Sequence, residues 1–93
     1  MNLDLDARRG EEAHRVLSSD IYKEAFRIIE DRLISQFAVI EIQPERAEYL
    51  RQLLVANRKI KSYLEQVMLT GQYAEQQQTL LERVQEKARA FVR

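Results

Sequence analysis

Ninety-three residues, 45% hydrophobic and 32% charged, are enough for one small domain near the lower limit of a self-sufficient core, and this is not the composition of a disordered chain. Fifteen basic side chains balance fifteen acidic ones, so no global charge draws the chain to nucleic acid or anionic lipid. The lack of cysteine excludes disulfides, thiolate metal sites and cysteine nucleophiles. No apolar run approaches the roughly 18 residues of a membrane span, and residues 1–4 lack the basic start of a signal peptide, so the expected location is cytoplasmic with no membrane partner.

In chain order, residues 1–7 read as frayed. A short helix follows from about Asp6 or Gly10 to Leu17, with Ala13, Val16 and Leu17 inward and Glu11 and Glu12 in its first turn, where the helix dipole favours acids. Gly10 belongs near its start, because a glycine inside a helix costs about 1 kcal/mol. Ser18, Ser19 and Asp20 then stop one helix and cap the next, since their short side chains accept exposed backbone N–H groups. The second helix spans 21–37, with Ile21, Ala25, Ile28, Ile29, Leu33 and Phe37 on its buried face.

Residues 37–42 are rich in β-branched side chains, and two readings stand. The segment is the helix end followed by an apolar linker tucked on the core, or it exposes Val39, Ile40 and Ile42 as an edge that pairs with its twin in a dimer or with a partner chain. Pro44 suits a first helical position, and a third helix runs from there to residue 70, about 40 Å at 1.5 Å per residue. Leu50, Leu53, Leu54, Ile60, Leu64, Val67 and Met68 form its apolar stripe. Asn57 interrupts that stripe, either as a register-setting polar residue or as an exposed one at its margin. Gly71 reads as a turn, after which Tyr73, Leu80, Leu81, Val84, Ala88 and Phe91 mark a fourth helix.

The expected architecture is therefore one all-α domain: a short N-terminal helix plus three main helices, the last two forming a long antiparallel helical hairpin crossed by the helix at 21–37. Short chains with long amphipathic helices often complete their cores between subunits, which points to a homo-oligomer.

Motifs for chemistry are sparse. Glu11-x-x-His14 has the spacing used in di-iron bundles, but a single copy on a short helix, without two further inward glutamates, reads as surface. His14 is the sole histidine, no serine or threonine sits in a nucleophile elbow or an S-x-x-K arrangement, and the two glycines cannot form a phosphate loop. No catalytic residue, metal site or cofactor is expected. Arg51, Arg58 and Lys61 share a stripe of the third helix, with Lys59 beside them, and Arg83, Lys87, Arg89 and Arg93 cluster at the C-terminus. Either group could contact phosphates. Tyr22, Tyr49 and Tyr63 lie at stripe edges, as interface aromatics or as core-edge rings with wet hydroxyls.

The order Arg9-Gly10-x-x-Ala13-x-x-x-Leu17, Asp20 with Ala25 and Leu33, Pro44-Glu45-Arg46 leading to Leu50, Leu53, Ile60 and Leu64, and then Thr70-Gly71, resembles small all-helical proteins of tailed bacteriophages and prophages. The resemblance spans most of the chain and implies a genomic setting, with the host cytoplasm or the virion as location. The functional expectation is a non-enzymatic protein–protein interaction module, a phage structural or accessory protein acting by helical self-association or by binding a larger partner. Tyr49, Arg51, Arg58, Lys61 and Tyr63 are its candidate contacts, with Val39, Ile40 and Ile42 as a linker contact. The alternatives are a nucleic-acid-associated factor using the basic helix faces and a small inhibitor of a host enzyme.

Overall fold

The computed structural model describes residues 2–92 and contains three α-helices: α1 (Leu3–Ser18), α2 (Asp20–Phe37) and α3 (Pro44–Val92). Met1 and Arg93 lie outside the described residues, so the C-terminal basic cluster is seen only as Arg83, Lys87 and Arg89.

Local chemistry sets the helix boundaries. Asn2 caps α1 by accepting a hydrogen bond from the Leu5 N–H (3.1 Å), and Asp4 and Asp6 place negative charge in the first turn. The helix therefore begins at Leu3, within the stretch expected to fray. Ser19 serves two helices at once. Its N–H donates to the Val16 carbonyl at 3.1 Å, ending α1, and its hydroxyl accepts from the Tyr22 N–H at 3.3 Å, starting α2. Pro44 opens α3, where its missing N–H costs nothing.

α1 and α2 run one after the other along α3, antiparallel to it. The pairing of Arg9 with Tyr63, Glu30 with Arg58 and Gln36 with Arg46 traces that direction. The seam on α3 is one heptad-spaced row, Leu50, Asn57, Leu64, Gly71 and Gln78, each buried or half-buried, flanked by Leu54, Lys61 and Met68.

At the centre of the α1 crossing the backbones of Gly10 and Gly71 meet. A Cβ added to either glycine would stand 2.6 Å from the Cα of the other, so only glycine admits this approach. This contact corrects the expected hairpin: α3 passes through Gly71 as one continuous helix of 49 residues. The helix-propensity cost of Gly71 is offset by the close α1 packing it permits, and an antiparallel pair forms instead between α1–α2 and α3.

Two further expectations are revised. α2 buries Leu33 and half-buries Ile28 and Phe37 as expected, but Tyr22 and Phe26 are half-buried where Ile21, Ala25 and Ile29 were expected, and Ile21 is 71% exposed. The aromatic pair Tyr22–Phe26, with centroids 6.4 Å apart, fills the wider gap that α2 leaves, and the Lys61 ammonium lies 4.6 Å from the Phe26 ring centre. The connection at residues 38–43 is a turn without strand pairing. Ile40 is fully exposed and Val39 exposed, so the linker is not tucked on a core, and only Ile42 is half-buried.

The result is long and thin: 78 × 25 × 16 Å, with a radius of gyration of 21.2 Å. A compact domain of this length has a radius of about 12 Å. Two helices side by side offer each other one stripe apiece, and Leu50 is the only large side chain fully buried among the described residues. Among the described residues no helix is long and apolar enough to cross a membrane.

Candidate interaction surface

The residues singled out from sequence occupy one length of α3, and most of the polar ones are already engaged. Arg51 donates from Nε and a terminal nitrogen to the two carboxylate oxygens of Glu48 at 2.9 and 2.7 Å. These bonds hold the Glu48 carboxyl down to about 2, and the same hydrogen bonds, with the Glu48 charge, raise the Arg51 guanidinium. Arg58 reaches across to α2 and binds Glu30 with both Nε (2.7 Å) and a terminal nitrogen (2.6 Å). Lys61 sits over Phe26 inside the seam.

The three cations therefore do not form a free phosphate-binding row. Each is committed to a partner within the chain, because neighbouring turns and α2 place acids and a ring beside it. Tyr49 lies on the surface with the Arg46 guanidinium 5.6 Å from its ring centre. Tyr63, also exposed, accepts a 3.2 Å hydrogen bond from Arg9. Val39 and Ile42 line a cleft with Arg46 at the start of α3, beside Tyr49, and Ile40 is fully exposed on the same connection.

Two buried polar atoms in the α2–α3 seam lack a hydrogen-bond partner within the chain, the Tyr22 hydroxyl and the Asn57 amide nitrogen. Burial and the nearby Glu65 charge push the Tyr22 phenol up. Asn57 is therefore a seam residue and not an exposed one at the stripe's margin, and the Tyr22 hydroxyl is not wet. Glu11 and His14 line a shallow cleft beside the glycine crossing, with Glu75 across it. Among the described residues no group of three or more histidines and carboxylates is placed to hold a metal.

Apolar surface is the dominant feature of α3. Its expected single stripe divides into two heptad rows. Leu50, Leu54, Leu64 and Met68 face α1 and α2, whereas Leu53, Ile60, Val67, Ala74, Leu81 and Ala88 form a second row at intervals of seven. Tyr49, Tyr63, Val84 and Phe91 sit on the companion positions of that second row. α1 covers its middle, where Ala74 is buried and Val67 half-buried. Both ends are open: Ile60 is 60% exposed and Phe91 93%. The two rows are one position out of phase, which a search for runs of apolar residues merges and a count in sevens separates.

Total exposure follows from this arrangement. The chain presents 7718 Å² to solvent, whereas a compact monomer of 11.0 kDa presents about 5,600 Å². The surplus is about 2,100 Å² on that scale, and the exposed side chains include Ile60, Tyr63, Val84 and Phe91. Comparison with known proteins gives no match: no family model fits the chain, and neither a curated protein nor a solved structure matches it.

Proposed function

We propose that this protein is a non-enzymatic protein–protein interaction module that works through the apolar faces of its helices, by self-association or by binding a larger partner. The observation that carries the reading is the second heptad row of α3, open at both ends on a chain that exposes about 2,100 Å² more than a compact monomer of its mass. Large exposed apolar patches mark protein or membrane contacts. The mixed charge of these helices and the lack of a spanning segment favour protein. A role as a structural or accessory component of a phage, as the sequence resemblance implies, is compatible with such a rod-shaped, adhesive chain. The engagement of Arg51, Arg58 and Lys61 within the chain weighs against the nucleic-acid reading.

Size-exclusion chromatography with light scattering, monitored at 260 and 280 nm, tests this. With no tryptophan and four tyrosines, carried nucleic acid would be conspicuous. The expected result is a defined, nucleic-acid-free particle heavier than the 11.0 kDa chain. Particles that carry nucleic acid and shed it in high salt would replace this reading with the basic-face one.

A further inference from the structure

We propose that the rod carries a built-in opening around Ser19: residues 20–30 of α2 separate from α3, because the seam there buries polar groups without partners, while the packing on either side stays closed. The inference stands apart from the interaction reading, since it concerns a single chain.

Buried residues fall into two groups. Ala7, Gly10 and Ala13 of α1 are buried with Gly71 and Ala74 of α3 on one side, and Leu33 of α2 and Leu50 of α3 are buried on the other. Between the groups no residue from 14 to 32 is buried and none from 51 to 70, so that stretch is closed by half-buried side chains alone. Ser19 lies within it. Its extended backbone, with φ −64° and ψ 130°, interrupts the helix, so α1 does not stiffen the first turns of α2.

The same stretch is the polar part of the seam. The Tyr22 hydroxyl and the Asn57 amide nitrogen, the buried side-chain atoms without a partner among the described residues, both lie in it, and the Lys61 ammonium sits over the Phe26 ring between them. Closing the seam takes these groups from water and gives the first two no bond in return. Each such group weakens the closed state against the open one by roughly tenfold. The glycine crossing bears no such cost, since backbone meets backbone there. Arg58 and Glu30 bridge the far edge of the stretch, but the Arg58 side chain is 57% exposed, so the pair is screened and holds weakly. α2 is tied to α1 at Ser19 and to α3 through residues 38–43, and a rigid helix fixed at both ends cannot leave its neighbour. The opening is therefore a local melting of the first turns of α2, which frees their N–H groups to exchange with solvent.

Residue-resolved amide hydrogen exchange on the folded full chain, at one fixed protein concentration, tests this. The amides of residues 24–29 should exchange at least about tenfold faster than those of residues 10–14 and of residues 33–36, although all three stretches are helical. Equal rates in the three stretches overturn the inference, and so does exchange that is fastest at 33–36, which would mean that α2 opens from its other end. Tyr22→Phe combined with Asn57→Leu removes both unpaired groups and should slow exchange at 24–29 by about tenfold or more, with residues 10–14 unchanged. Tyr22→Phe alone, which adds no volume to the seam, should act in the same direction. Variants that leave 24–29 as fast as in wild type, or that slow 10–14 equally, overturn the unpaired polar groups as the cause of the opening and the inference with them.

Discussion

Replacing Gly71 by alanine separates a glycine that serves packing from one that merely interrupts a helix, because the two roles give opposite signs. At an open helical position the change removes glycine's propensity penalty and stabilises by about 1 kcal/mol. Here the new Cβ would lie 2.6 Å from the Gly10 Cα, 2.9 Å from the Asp6 carbonyl oxygen and 3.1 Å from the Gly10 nitrogen. All three are backbone atoms, so no side chain can swing aside, and α1 must withdraw by up to about 1 Å to reach ordinary contact distance. A gap of 0.5–1 Å forfeits roughly a quarter to a half of each pairwise attraction along the crossing, and overpacking of this kind costs about 1–3 kcal/mol. The net expectation after the propensity gain is a loss of about 1 kcal/mol. For a chain of this size that lowers the melting temperature by roughly 4–8 °C. Urea and thermal unfolding followed by circular dichroism, at one fixed protein concentration because association would shift the midpoint, read this directly. A Gly71→Ala variant more stable than wild type would refute the close crossing and restore Gly71 as a conformational break.

Three other outcomes follow from the same geometry. Tyr22→Phe should raise stability in urea by about 1 kcal/mol, because it removes a buried hydroxyl without a partner; a loss would mean that the hydroxyl is bonded in solution. Leu64→Asp, which brings a charge into the α1–α3 seam, should abolish cooperative unfolding or the helical signal, and an equally helical, equally stable variant would place Leu64 outside the seam. Glu48 should remain ionised in a carbon-detected pH titration until about pH 2, against an ordinary value of 4.5. Since its value is depressed in the folded chain, the stabilisation from its pairing with Arg51 is present above pH 4.5 and is lost as the pH falls toward 2. Arg51→Gln should return the carboxyl toward the ordinary range, and a Glu48 that titrates normally in wild type would show the bidentate pair to be absent.

Local chemistry written in the sequence determined that the chain is helical and where most helices begin. Ser19 stops one helix and caps another with its own backbone and hydroxyl, and Pro44 opens α3 because it needs no N–H partner there; such short-range bonds act whatever else the chain touches. Tyr49 and Tyr63, read from sequence as lying at stripe edges, are exposed. Which face of a helix is buried was decided only in three dimensions. On α2, Tyr22 and Phe26 are turned inward with Ile28 and Leu33, while Ile21 and Ile29 stay exposed. Arg51, Arg58 and Lys61 look alike in sequence, yet each found a different partner: the next turn, the facing helix, or a ring in the seam. Gly71 is the plainest case, since a glycine alone in a helix weakens it, whereas a glycine facing another glycine lets two backbones touch. No local pattern distinguishes these roles, because the deciding atom, the Gly10 Cα, lies sixty-one residues away.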